Sequence, residues 1–188
     1  MELSNLNIKH SLCVSLGANI NSKFGSPINS LIESRPQIEQ IIYNLIRSTQ
    51  ENQFEKNFLK EIFNWSSLYR TSPHETEVIQ PDFINCLLLV ESDLLPIPSV
   101  EKAKYLLNAF KDIERNFGRI KSINEQRWLP RSLDIDIIWW DNLNIYDEEL
   151  ILPHPRFKIR NFVIAPLSEV LGNSQKVEKL NENRWLVN

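Results

Sequence analysis

Two aspartates one residue apart, Asp134 and Asp136 in the run RWLPRSLDIDII (127–138), are the side chains in this sequence best placed to do chemistry. On an extended strand, residues i and i+2 point the same way, so both carboxylates share a face while Ile135 and Ile137 take the other. Two carboxylates side by side repel each other unless something positive lies between them. Magnesium fills that place when phosphates are present, taking one or two carboxylates and completing its octahedron with phosphate oxygens and water. Taken alone, the pair is a weak signal, since two exposed acids on an edge strand would look the same. It is not alone. Lys111, Arg115, Arg119, Lys121, Arg127 and Arg131 precede it, and Arg156, Lys158 and Arg160 follow beside His154. Guanidinium groups next to a carboxylate-held metal suit a polyphosphate, whose charge they neutralise. A third element is QPDFIN (80–85), in which Phe83 and Asn85 share a strand face opposite Ile84 and Cys86. The asparagine offers a donor and an acceptor to the edge of a flat heterocycle, and the phenylalanine can stack on its plane. The competing reading is that Phe83 is core and Asn85 ends a sheet.

What the sequence lacks narrows the chemistry. Four glycines leave no P-loop or dinucleotide fingerprint, so any phosphate must be held by arginine, lysine and metal. His10, His74 and His154 are far apart, and neither they nor Cys13 and Cys86 have zinc-site spacing, so a metal would be a hard, oxygen-ligated ion. A length of 188 residues, 42% of them hydrophobic, suits one compact domain over 1–188. A net charge of −3 argues against a general nucleic-acid partner. No apolar run approaches the roughly 20 residues that span a bilayer. MELSNLNIKH lacks the basic start and long apolar stretch of a secretory leader. The cysteines sit in apolar stretches and read as buried small hydrophobes in a reducing compartment. The expectation is a cytoplasmic protein with neither a nucleic-acid nor a membrane partner.

The elements that must position these residues follow from periodicity. Ser11–Gly17 alternates as a strand, and Ile28–Leu45 has helical spacing with Pro36 inside it as a kink or a break. Residues 48–58 are polar and fit a loop or an extra helical turn. Glu61–Arg70 reads as one half-buried strand, with Ile62 and Leu68 opposed to Phe63, Trp65 and Tyr69, and Asp82–Glu91 reads as a second. A helix is expected over Ser99–Phe117, capped by Ser99, with Gly118 just past its end. Leu133–Trp140 is a strand, Asp141–Glu149 a turn or hairpin, and Asn161–Val170 a last helix. The order β-α-β-β-α-β predicts an α+β, ferredoxin-like antiparallel sheet with helices packed on it, a single three-layer domain.

With these motifs in order, SLGAN (15–19), SSLYRTSP (66–73), QPDFIN (80–85), IERNFGR (113–119), RWLPRSLDIDII (127–138) and LPHPRFKIRNFVIAPL (152–167), the chain resembles the 6-hydroxymethyl-7,8-dihydropterin pyrophosphokinases of folate biosynthesis over nearly its whole length. The resemblance implies transfer of pyrophosphate from ATP to 6-hydroxymethyl-7,8-dihydropterin, with AMP as the other product. It implies two magnesium ions on Asp134 and Asp136, with Arg119 and Arg131 beside them in the catalytic set. The pterin would lie between Phe83 and Phe162, its edge bonded by Asn85 and Thr71. Arg119, Arg131, His154 and Arg160 would contact the triphosphate, and Glu114 and Ile137 would line the ATP site. Lys111, where a glutamine is familiar, joins that set. Trp128 would sit on a loop that closes over both substrates. Partners would be these two small molecules, and a monomer is the working expectation. Rival readings are a two-metal nucleotidyl transferase or cyclase, opposed by Phe83, Asn85 and Phe162, and an inactive pterin- or nucleotide-binding module, opposed by the intact Asp134, Asp136, Arg119 and Arg131.

Overall fold

A computed structural model describes residues 9–49, 61–73, 79–119, 129–172 and 184–185. The first strand, β1 (His10–Ala18), alternates Leu12, Val14, Leu16 and Ala18 towards one layer and Cys13, Ser15 and Gly17 towards the other. Helix α1 (Pro27–Arg47) starts where Ser26 Oγ accepts from the Asn29 amide at 3.3 Å and Pro27 supplies a pre-set φ. Pro36 neither breaks nor ends this helix. It stands on the exposed face, as does Ile32, whose carbonyl loses its usual donor, so solvent can take that bond.

The expected strand Glu61–Arg70 is two strands, β2 (Phe63–Trp65) and β3 (Leu68–Thr71), each paired antiparallel with a different part of β4 (Phe83–Ser92). Trp65 stands opposite Leu88 and Tyr69 opposite Asn85, so one strand carries an extra residue between the same two points. That is a β-bulge, and Ser66 fills it: its amide donates to the Leu87 carbonyl and its hydroxyl accepts from the Leu87 amide, both at 2.9 Å. The bulge shifts the side-chain phase. Phe63, Trp65 and Leu68 therefore pack into the same core, and Tyr69 points to the opposite layer. The expected opposition of Leu68 to Phe63 and Trp65 is corrected accordingly.

Helix α2 (Val100–Asn116) begins at Ser99, whose hydroxyl accepts from the Lys102 amide at 3.3 Å, and ends before Gly118 at φ +91°. Strand β5 (Asp134–Trp140) follows. A hairpin of β6 (Ile145–Tyr146) and β7 (Ile151–Leu152), a 3-10 turn (Phe157–Ile159) and helix α3 (Asn161–Val170) come next. A short strand, β8 (Arg184–Trp185), extends the sheet beyond β3.

Across the sheet the order is β5-β1-β4-β3-β8, with β2 also on β4, and each of these pairings is antiparallel. This is the α+β, ferredoxin-like arrangement the element order implied. Helices α1 and α2 cover one face with the larger apolar cluster. The other face has a small one, in which Cys13, Leu87, Leu89 and Ile138 meet Val163, Phe162 and Leu167 of α3. Cys13 and Cys86 are free and buried in different clusters, on opposite faces. Among the described residues no helix is long and apolar enough to cross a membrane.

Candidate active site

The antiparallel register lines the site residues up in rows. Gly17 of β1 is paired with Asn85 of β4 on one side and Asp134 of β5 on the other, and Tyr69 of β3 lies beyond Asn85. Two residues back, Ser15 stands between Leu87 and Asp136. Register partners project to the same face, so Asn85, Asp134 and Asp136 all rise on the layer that α3 only partly covers. Phe83 and its partner Thr71 join them at the edge of the same patch. Asn85 is 4% exposed, and its Nδ2 donates to Thr71 Oγ1 at 2.9 Å.

The carboxylates are held by arginines. Asp134 accepts hydrogen bonds from Arg119 on one oxygen and Arg131 on the other, and Arg119 also donates to Glu114. Glu114, at the end of α2, accepts from the Ile135 amide at 2.7 Å and so ties that helix to the start of β5. Burial opposes ionisation of Asp134, but Arg131 and Arg119 outweigh it and hold its carboxyl below the usual range. Asp136 goes the other way, to about 7, because burial and the neighbouring Asp134 charge exceed the pull of Arg160, Arg131 and Arg119. Burial, then Asp134, likewise raises Glu114 to about 7.

The second basic cluster closes the far side. Arg160 Nη1 lies 3.4 Å from His154 Nε2, and the Arg160 guanidinium sits over the Phe162 ring at 5.3 Å. Arg131 is similarly placed over Phe83, at 5.9 Å. Each candidate aromatic wall therefore carries an arginine on it. Burial, with Arg160 and Arg156 nearby, lowers His154 to about 4, so its ring is neutral near pH 7.

The donor set fits a hard cation. Asp136 is a half-buried carboxylate that a positive charge would return to its ionised form. Among the described residues no group of three or more His, Cys, Asp or Glu side chains gathers as a metal site. Among the described residues the site thus offers two carboxylates, and further ligands would be phosphate oxygens and water, the pattern magnesium adopts and structural zinc does not.

Other expected residues fall differently. Ile137 is 3% exposed in the core beneath α1 and α2, so its side chain is turned away from this patch and only its main chain is left to meet a ligand there. Lys111 is half-buried on α2, one turn before Glu114. Trp128 lies outside the described residues, as do Lys121 and Arg127. Three residues escaped the sequence reading. Gly17 forms the bare centre of the main row, and a glycine inside a strand is the mark of close approach. Asn19, 2% exposed, accepts from the Arg131 amide at 2.8 Å through Oδ1. Its Nδ2 donates to Gln80 Oε1 at 2.8 Å and the Pro81 carbonyl at 3.1 Å. It thereby joins the loop that carries Arg131 to the one that leads into Phe83. Glu169 of α3 accepts from the Ser67 amide at 3.0 Å and from the Ser67 and Tyr69 hydroxyls at 2.7 Å each. Nothing in the local sequence marks that acid out.

Known proteins share this chain's pattern. Residues 13–172 match the family described as 7,8-dihydro-6-hydroxymethylpterin-pyrophosphokinase (HPPK). A Haemophilus influenzae protein named 2-amino-4-hydroxy-6-hydroxymethyldihydropteridine pyrophosphokinase is 30% identical over 172 residues, 89% of this chain and 88% of that protein. A Bacillus subtilis protein of the same name is 39% identical over 114 residues, 61% of this chain and 60% of its own length. The mitochondrial folate synthesis bifunctional protein of Arabidopsis thaliana is 39% identical over 110 residues, 58% of this chain and 18% of that longer protein. The alignments thus span less than two thirds of the last two relatives and nearly all of the first. The matched span holds β1 from Cys13 onward and every later element to α3, and with them the paired aspartates, the arginines around them and the Phe83–Asn85 strand. On that extent of match the chain belongs to the 7,8-dihydro-6-hydroxymethylpterin-pyrophosphokinase family.

Proposed function

We propose that residues 1–188 form one pyrophosphokinase domain that transfers the terminal pyrophosphoryl group of ATP to 6-hydroxymethyl-7,8-dihydropterin, a step of tetrahydrofolate biosynthesis. The observation that supports this reading is the row Asn85–Gly17–Asp134, which puts an amide that could anchor a heterocycle on the same face as the paired carboxylates. A pterin edge would bond Asn85 and Thr71, with its plane between Phe83 and Phe162. Arg119, Arg131, Arg160 and neutral His154 would hold the triphosphate, and Lys111, Glu114 and the Ile137 main chain would border the nucleotide. Trp128, outside the described residues, is assigned to contact with both substrates.

Asp134 and Asp136 would hold two magnesium ions, which when bound neutralise the phosphate oxygens and make the phosphorus a better electrophile. The chain's own part is positioning and charge. Asn85 and Thr71 fix the acceptor so that its hydroxymethyl oxygen faces the β-phosphorus. The bond formed joins that oxygen to the β-phosphorus, the bond broken joins the β-phosphorus to the bridging oxygen of AMP, and the hydroxyl proton is released. Arg119, Arg131 and Arg160 stabilise charge on the transferred group. We assign the enzyme to the cytoplasm, acting as a monomer on two small molecules.

An assay of AMP release tests the reading. AMP is expected only when ATP, magnesium and 6-hydroxymethyl-7,8-dihydropterin are all present. AMP formed without the pterin, or ADP as the product, would overturn it.

A further inference from the structure

Gly17 lies mid-row, with Asn85 on one side and Asp134 on the other. A Cβ added to it would stand 2.8 Å from Asn85 Oδ1 and 3.9 Å from Phe83 Cδ1, and its three nearest atoms belong to those two residues, none to Asp134. The Asn85 amide has little freedom to yield. Its nitrogen end is held by Thr71 and the residue is buried. The backbone itself makes no demand for glycine here. Gly25, Gly118 and Gly172 have positive φ and Gly17 does not. Inside a strand, glycine is less favourable than alanine because it has more freedom to lose.

We infer that Gly17 is a specificity-determining residue for the acceptor. Its missing side chain lets the Asn85 amide lie against β1 with its free edge turned to a heterocycle. It also leaves bare the strip between Asn85 and Asp134, which an acceptor's hydroxyl-bearing arm must cross to reach the phosphates. Adjacent strands lie about 4.8 Å apart, so that strip is about 10 Å wide, room for part of a flat bicycle and a one-carbon arm. A methyl group at position 17 displaces the acceptor's anchor and leaves the carboxylate pair alone. This inference rests on the pyrophosphokinase reading and names a residue that fits the acceptor to it.

The test is Gly17→Ala in the full chain, with steady-state kinetics in each substrate and a thermal melt. The KM for the pterin is expected to rise about tenfold or more, as when a buried polar partner is lost. The KM for ATP should stay within about twofold, since groups that share no contact act independently. Tm should fall only slightly, since alanine's lower backbone freedom offsets part of the cost of displacing the Asn85 amide. If the methyl acts by moving Asn85, then Gly17→Ala made in an Asn85→Ala background adds no further rise in pterin KM. An unchanged pterin KM in the single variant overturns the inference, as does a parallel rise in both KM values with a large drop in Tm, or full additivity in the double variant. A wild-type enzyme without pterin-dependent AMP release would instead sink the functional reading itself, so the two failures are distinguishable.

Discussion

Asp134 and Asp136 share a face of β5 but not an environment. Two arginines hold Asp134 ionised, whereas burial and that same ionised neighbour push Asp136 up to about 7. Asp136→Asn keeps the shape and removes the charge a cation needs. Turnover should fall by about 10²-fold or more with Tm maintained, and an undiminished kcat would remove the metal assignment. His154 gives a pH signature of its own. The unfolded chain protonates it near 6.5 and the folded chain near 4. Between those values the unfolded state binds the extra proton, so its contribution to stability is complete above about pH 6.5 and is lost as pH falls towards 4. Denaturant midpoints measured at pH 7.5 and 5 should show a smaller drop in His154→Asn than in the wild type, and equal drops would clear His154 of that role. Alternation alone made the aspartate pair and Phe83–Asn85 legible in sequence, because a strand fixes which side chains rise together. The same alternation turns the Ile137 side chain inward. The part played by Gly17 was not legible, since its neighbours come from strands some 70 and 120 residues further along the chain.

At the scale of elements, the sheet carries Phe83 and α3 carries Phe162, the two walls proposed for the acceptor, and Glu169 ties that helix to the sheet. Its carboxylate takes two donors from Ser67, in the bulge, and one from Tyr69. Glu169→Ala leaves three partly buried donors without this acceptor and should destabilise the protein by about 1–3 kcal/mol. Hydrogen exchange should quicken in α3 before it does in β1 or β4, and uniform quickening across the sheet would refute a local pin. Helices α1 and α2 were readable because their caps, Ser99 and Gly118 above all, are local signals. The bulge was written in the sequence only as a change of apolar spacing, from two between Phe63 and Trp65 to three between Trp65 and Leu68. A two-residue period has no place for that step.

The whole molecule divides labour between its faces. The α1–α2 side holds the larger apolar cluster, and the α3 side gives up apolar cover to leave polar and charged side chains reachable. Stability should therefore be lost most cheaply on the first face without touching chemistry. Leu88, fully buried in β4 and turned towards α1 and α2, is the test. Leu88→Ala should lower unfolding free energy by about 2–5 kcal/mol in urea, with pterin and ATP KM values near wild type below the transition. The fold as a whole was legible because β-α-β-β-α-β admits few chirally allowed arrangements. β8 was not, being a two-residue strand beyond any periodic pattern.

The row across β4, β1 and β5 also makes the site a ruler with fixed graduations. The separation of Asn85 from Asp134, the anchors proposed for heterocycle and metal, is set by backbone hydrogen bonds, which allow whole-strand steps of about 4.8 Å and nothing between. Drift in side-chain packing, which changes most pockets by tenths of an ångström, leaves this dimension where it is. A descendant suited to a longer or shorter acceptor must therefore redraw which strand carries which residue, while changes in ring shape or substituents can be met by single substitutions at the two ends.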